Sequence, residues 1–171
     1  MLRKKRKPEE TEIIVLVDIE NLQASFQRGG PKGFSLTAGF DKTLKRIARE
    51  VGRIYKVYVF SPPHLILLLG EELYNLRFTI IACPKVHTKD GGTEVDTVDH
   101  TLIEFGKEKI GERRSLTHLC IASGDRDFAP LVREAIQQGL KVLVIASSPR
   151  SLSAELIRLA DEVYPFSPTE Q

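Results

Sequence analysis

An α/β fold, with a mostly parallel sheet wound on both sides by helices, is what this sequence predicts, and three observations carry it. Short apolar runs alternate, almost from end to end, with segments whose apolar residues recur at helical spacing. The runs are continuous rather than alternating, as expected of strands covered on both faces. Two of them lead into acidic residues, one directly and one across Ser-Gly. Ile13 to Val17 is followed by Asp18-Ile19-Glu20-Asn21, and Leu119 to Ala122 by Ser123-Gly124-Asp125-Arg126-Asp127. In open parallel sheets the carboxyl ends of the strands are where ligands bind.

Taken in order, Ile13 to Val17 is the first strand, and Asp18 to Gln27 turns into a short helix. Arg28-Gly29-Gly30-Pro31-Lys32-Gly33 combines glycines, a proline and two cations. It is predicted as a loop, with Arg28 and Lys32 available to a substrate beside the acidic mouth. Thr37 to Val51 carries Phe40, Leu44, Ile47, Ala48 and Val51 at helical spacing, with Gly52 as its cap. Ile54 to Phe60 is the second strand, and Ser61-Pro62-Pro63 opens a helix that runs to Leu76. Phe78 to Ala82 is the third strand, closed by Pro84.

Lys85 to Thr93 is polar, contains Gly91-Gly92, and is predicted as a loop. Thr93 to Lys109 then reads as a helix with Val95, Val98, Leu102, Ile103 and Phe105 as its apolar positions. Asp96 and Asp99 stand three residues apart in it and so share one face. Leu116 to Ala122 is the fourth strand, Phe128 to Gln138 a helix ended by Gly139, and Leu140 to Ala146 the fifth strand. Ser147 to Ala160 is the last helix and Val163 to Phe166 a short edge strand. A strand order of 3-2-1-4-5 would set the first and fourth strands side by side. Asp18 would then face Asp125 and Asp127 across a crevice, with Asp96 or Asp99 on its rim.

A chain of 171 residues suits one domain, expected over 12–167 between a basic tail, 1–11, and a short tail, 168–171. The net charge of +2 is too small to argue for nucleic acid, but Arg3 to Lys7 form one basic block able to add phosphate contacts. The longest apolar run, Leu65 to Leu69, is far short of the roughly 20 residues a membrane span needs. No secretory signal is visible, so a cytoplasmic protein without membrane contact is expected. Cys83 and Cys120 lack CxxC spacing and suit buried positions, and the histidines are too scattered for zinc.

Carboxylates crowded together raise one another's pKa, and a divalent cation relieves the repulsion. Oxygen ligands without cysteine or paired histidine favour Mg²⁺ or Mn²⁺, so Asp18, Asp96, Asp99, Asp125 and Asp127 are the candidate metal ligands. Such an ion lowers the pKa of a bound water and neutralises charge in an in-line displacement at phosphorus. Asn21 adds an amide to orient water or substrate. Taken singly, Asp18, Asp125 and Asp127 are equally well explained as helix caps, and Glu94, Asp96 and Asp99 as acids favoured by the helix dipole. The joint pattern favours a shared site. Ser123, Ser147 and Arg150 are further candidates for substrate contact, the last two at a helix start whose amides can receive phosphate.

These residues resemble a known family. Ile14-Val15-Leu16-Val17-Asp18-Ile19-Glu20-Asn21-Leu22 is similar to the first motif of the NYN domains, the LabA-like branch of the PIN-like nucleases. Ser123-Gly124-Asp125-Arg126-Asp127-Phe128-Ala129-Pro130-Leu131 resembles their second, followed by Gly139-Leu140-Lys141-Val142 and by the stretch from Ser151 to Phe166. The resemblance covers Ile13 to Phe166. It implies a PIN-like three-layer α/β/α sandwich and Mg²⁺- or Mn²⁺-dependent cleavage of RNA. Asp18, Asn21, Asp125 and Asp127 match its catalytic positions, while both Val95-Asp96 and Val98-Asp99 fit its middle acidic motif. The chain departs from the pattern further along that helix, where Leu102 and Phe105 stand at the usual places of a second Asp.

The expected partners are therefore RNA and, as a homodimer, a second copy of the chain. The competing readings are an NYN domain that binds RNA or docks a partner without efficient catalysis, and a haloacid-dehalogenase-like phosphatase. The latter fits less well because Glu20 stands where its second Asp belongs. A nicotinamide site is disfavoured, since no GxGxxG follows the first strand.

Overall fold

The computed structural model describes residues 10–29 and 35–166. Its frame is a six-stranded sheet: β1 (Glu12–Asp18), β2 (Arg53–Ser61), β3 (Thr79–Ala82), then β6 (His118–Ala122), β7 (Lys141–Ala146) and β8 (Glu162–Pro165). The order across it is β3-β2-β1-β6-β7-β8, and every pairing is parallel. The predicted order is thus observed, with the short final strand added at the edge beyond β7. β4 (Val86–His87) and β5 (Glu94–Val95) form a separate antiparallel hairpin.

Because side chains alternate across a strand, each continuous apolar run feeds two cores. From β1, Ile13, Val15 and Val17 face one layer, where they meet Leu22 of α1 (Ile19–Gly29), Phe40 and Ile47 of α2 (Leu36–Glu50), and Leu65 and Leu73 of α3 (Pro63–Asn75). Ile14 and Leu16 face the other, against Leu102 of α4 (Val98–Glu112), Leu131 and Val132 of α5 (Ala129–Gln137), and Leu156 of α6 (Ala154–Leu159). Helices therefore cover both faces, the α/β/α sandwich of a PIN-like fold. Both cysteines are buried and unbridged.

The helix ends follow the capping residues. Ser35 accepts from the Ala38 amide at the start of α2, and Gly139, at φ +84°, closes α5 with Leu140 N–H donating to Ala135 O at 3.0 Å. α3 closes the same way on Arg77, at φ 62°, where Phe78 N–H donates to Leu73 O at 3.1 Å. A side chain in this left-handed region is strained. Arg77 is exposed and, among the described residues, its side chain makes no ion pair that would offset the strain. Arg77→Gly is expected to stabilise the fold by about 1 kcal/mol, read as a higher urea midpoint; an unchanged or lower midpoint would refute it.

Three expectations are corrected. The segment Lys85 to Thr93 and the start of the next helix are instead a hairpin, with Val86 paired to Val95 and His87 to Glu94. Gly91 turns it at φ +76°, and the Asp96 carboxylate takes the Val98 amide at 2.8 Å, so α4 begins at Val98 rather than Thr93. Arg28 belongs to the last turn of α1, not to a loop, while Lys32 lies outside the described residues, as does the basic block Arg3 to Lys7. The last helix is broken into a 3₁₀ turn, Pro149–Ser151, and α6. Two serines act as separate caps there, Ser148 accepting from Arg150 N–H and Ser153 from Leu156 N–H, so the chain starts a helix twice.

At the amino-terminal end of the sheet, Glu12 is buried yet ionised. Arg113 grips it through two bonds of 2.8 and 2.9 Å, Ser115 Oγ donates at 2.6 Å, and Arg53 adds a further contact. The Arg113 hydrogen bonds, opposed by burial and aided by Ser115 and the charges of Arg113 and Arg53, hold its carboxyl down at about 2. This cluster ties β1 to β2 and to the end of α4, well away from the acidic mouth.

Candidate metal centre

β1 and β6 lie side by side, with Val17 beside Ala122, so both chains leave the sheet at the same mouth. Asp18 ends β1 and is 5% exposed. Its Oδ1 accepts from Asn21 N–H at 3.2 Å and its Oδ2 from Ser123 Oγ at 3.4 Å. Asn21 returns the link across the crevice, its Oδ1 accepting from Gly124 N–H at 3.1 Å. Ser123 also accepts from Asp125 N–H at 3.2 Å, so this fully buried hydroxyl, a candidate for substrate contact, is occupied in joining the two acidic turns.

Gly124 is required by a close approach. A Cβ there would stand 1.8 Å from Ser151 O, and the Gly124 carbonyl accepts from Ser153 N–H at 2.9 Å. The loop after β7 is thereby drawn against the turn after β6. This docking was not legible in the sequence, where Gly124 reads only as a turn residue. Ser147 follows β7 and is buried with no partner for its Oγ among the described residues, and Arg150 is exposed.

Three carboxylates converge. Oxygen atoms of Asp99, Asp125 and Asp127 lie within 4.8 Å of one another. Of the two acids the sequence left open, Asp99 joins this group, from the first turn of α4, while Asp96 is exposed and caps that helix. Asp18 lies outside the group of three, though close enough to feel it. The capping explanation holds for Asp18 and Asp125, each of which accepts a backbone amide just ahead of it, and Asp96, one residue before the Thr97 cap, accepts the Val98 amide. It leaves out Asp99 and Asp127, whose carboxylates have no amide or cation partner among the described residues.

The electrostatics follow from this crowding. Burial pushes Asp18 up to about 7, against the Asn21 amide, with the charges of Asp99, Glu20 and Asp125 adding to it. Burial likewise raises Asp99 to about 6, reinforced by Asp125, Asp127, Asp96 and Glu20. Nothing in the spacing of the sequence marks Glu20, whose charge reaches both acids only once α1 folds back beside the mouth. Three close carboxylates, joined among the described residues by no sulfur or imidazole, and the raised carboxyls of Asp18 and Asp99 together fit a hard divalent cation.

The sequence profile of the NYN domain matches residues 12–167. The chain belongs to the NYN domain family. NYN domains are PIN-like nucleases, and the acidic cluster lies within the matched residues. Among solved structures, a protein of unknown function from Vibrio parahaemolyticus is similar with a TM-score of 0.74 at 20% identity, over 95% of this chain and 97% of its own. MurG from Acinetobacter baumannii is similar with a TM-score of 0.50 at 12% identity, over 94% of this chain and 44% of its own. At these identities the likeness is one of fold. No curated protein matches the chain. No helix among the described residues of this NYN domain is long and apolar enough to cross a membrane.

Proposed function

We propose that this NYN domain is a metal-dependent ribonuclease that hydrolyses RNA phosphodiester bonds at its acidic mouth. The observation that carries the reading is the meeting of Asp99, Asp125 and Asp127 within 4.8 Å, two of them with no structural employment. These residues, with Asp18 behind them, would hold Mg²⁺ or Mn²⁺. The ion, when bound, supplies Lewis-acid stabilisation of a phosphorane-like charge and a more acidic water.

The chain's own residues do the rest. Asp125 and Asp127 are delivered by one turn, and the hydrogen bond from Asp127 N–H to Asp125 Oδ1, 2.9 Å, fixes the carboxylate of the first. Ser123 and Asn21 lock the turn to β1 and keep Asp18 oriented. Asp18, half-protonated near neutral pH in the free protein, can hold a proton on the carboxyl when the mouth is empty and give it up when positive charge enters. Asp96, exposed at the rim, remains available to orient a water. Arg126 and Arg150 are exposed and would meet phosphates that flank the cut.

The test is cleavage of end-labelled single-stranded and structured RNA with Mn²⁺, Mg²⁺ or EDTA. Metal-dependent cleavage is expected, and Asp125→Asn is expected to lower the rate by about a hundredfold or more while leaving the melting profile cooperative. Cleavage at the parent rate by the folded variant would remove the proposed site. RNA binding without cleavage by the parent would favour a binding module instead.

A further inference from the structure

The hairpin of β4 and β5 has no packing reason to exist. A two-stranded hairpin alone is marginal in water, and this one exposes both of its faces: Val86 is 46% and Val95 40% exposed, and His87 and Glu94 are exposed behind them. What holds it is internal or at its root. Thr88 N–H donates to Thr93 O at 2.9 Å, Gly91 N–H to Thr88 O at 2.8 Å, and Thr97 Oγ1 to Pro84 O at 2.8 Å.

The root is at the acidic mouth. The incoming strand leaves Cys83, whose amide donates to Ser61 O at 2.8 Å at the carboxyl end of β2. The outgoing strand runs straight into Asp96 and, three residues on, Asp99. From Cys83 to the Gly91-Gly92 turn, an extended arm reaches on the order of 20 Å. That is the length of several nucleotides rather than one.

Charge says what such an arm meets. A mouth of clustered carboxylates repels every phosphate of an incoming strand except one neutralised at the cluster itself. The phosphates to either side need cations close by. The hairpin is neutral as a whole, with Asp90 and Glu94 exposed beside its cations, but it supplies Lys85 at its root and Lys89 at its turn, both exposed and neither in an ion pair among the described residues. Val86 and Val95 between them offer apolar surface for a base.

We propose that the β4–β5 hairpin is a clamp for single-stranded RNA, with Lys85 gripping a backbone phosphate near the bond at the acidic mouth and Lys89 one several nucleotides along the strand. This rests on the ribonuclease reading above. The clamp sets where along the strand the cut falls and has no part in the chemistry. It makes the hairpin a specificity element attached directly to a candidate ligand, Asp99.

Binding and cleavage can be separated. Fluorescence anisotropy with a labelled single-stranded RNA of mixed sequence is measured on the protein carrying Asp125→Asn, which is expected to slow cleavage by about a hundredfold or more. Adding Lys85→Ala and Lys89→Ala is expected to weaken binding by about tenfold at low salt and to reduce the slope of log K against log salt by about 1.4, about 0.7 for each lost phosphate contact. Lys141→Ala, at the opposite end of the sheet, is expected to change neither. In the cleaving protein the same pair should raise KM with kcat retained. Unchanged affinity and slope in the lysine pair, with the Asp125→Asn parent binding RNA, would overturn the clamp and leave the nuclease reading standing. A parent that binds no RNA at all would overturn both.

Discussion

Asp18→Asn is expected to make the metal-free protein more stable at pH 8 while abolishing cleavage. Asp18 is 5% exposed and its carboxyl is raised to about 7, so at pH 8 folding holds a buried negative charge that the unfolded chain would solvate. An acid whose folded pKa lies above its unfolded value binds more protons in the folded state. The stability it confers is therefore complete below the unfolded pKa and is lost as pH rises through the folded one. Asparagine keeps an oxygen for the Asn21 amide and an amide group for Ser123 Oγ.

The gain expected from Asp18→Asn is about 3 kcal/mol at pH 8, vanishing towards pH 4. Urea unfolding in EDTA at several pH values measures it. A variant less stable than the parent at pH 8 would mean that Asp18 is not held against its own charge. Mn²⁺ is expected to raise the parent's melting temperature at pH 8 and to do less for Asp18→Asn, because the cation relieves the same repulsion the substitution removes.

Gly124→Ala is the second large effect, and it acts through the backbone. The new Cβ would fall 1.8 Å from Ser151 O and 2.6 Å from Ser151 C, neither of which is the free end of a side chain. Either the turn after β6 or the loop after β7 must move, and with it the 2.9 Å bond from Ser153 N–H to Gly124 O. We expect a loss of about 3 kcal/mol or more, and loss of cleavage in whatever remains folded, since Asp125 is the next residue. Gly111→Ala is the contrast: nothing lies within 4 Å of its Cβ, so its urea midpoint should hold or rise. If both variants unfold at the same urea concentration, the two loops are not in the contact described.

The frame was legible because it depends on signals that are local and repeated. Short, continuous runs rich in β-branched residues, such as Ile13 to Val17, suit strands buried on both faces, and the helical spacing of Phe40, Leu44 and Ile47 leaves little else for Leu36–Glu50 to be. The acidic turns were visible because Asp18 directly ends one apolar run and Asp125 follows another across only Ser123-Gly124. Less was legible where structure turns on distant contacts. Whether Asp96 or Asp99 meets Asp125 depends on where α4 starts, and that was decided by the Asp96 cap and by the pairing of Val86 with Val95, neither of which has a periodic signature. Gly124 reads as a turn glycine until Ser151 is placed against it. The serines after β7 look like one helix start; only their spacing around Pro149 makes them two.

The central position of β1 has a consequence for the order in which the chain is made. β1 pairs with β2 on one side and β6 on the other, and the hydrogen bond from Ser123 to Asp18 spans 105 positions. A chain emerging amino terminus first can assemble β1, β2 and β3 with their helices early. The other half of the mouth is synthesised about a hundred residues after Asp18, and parallel pairing across such a separation is slow. During translation the growing polypeptide thus holds a half-sheet whose Asp18 has no Asp125 to meet. The acidic centre is therefore assembled only after β6 has been made and has paired with β1.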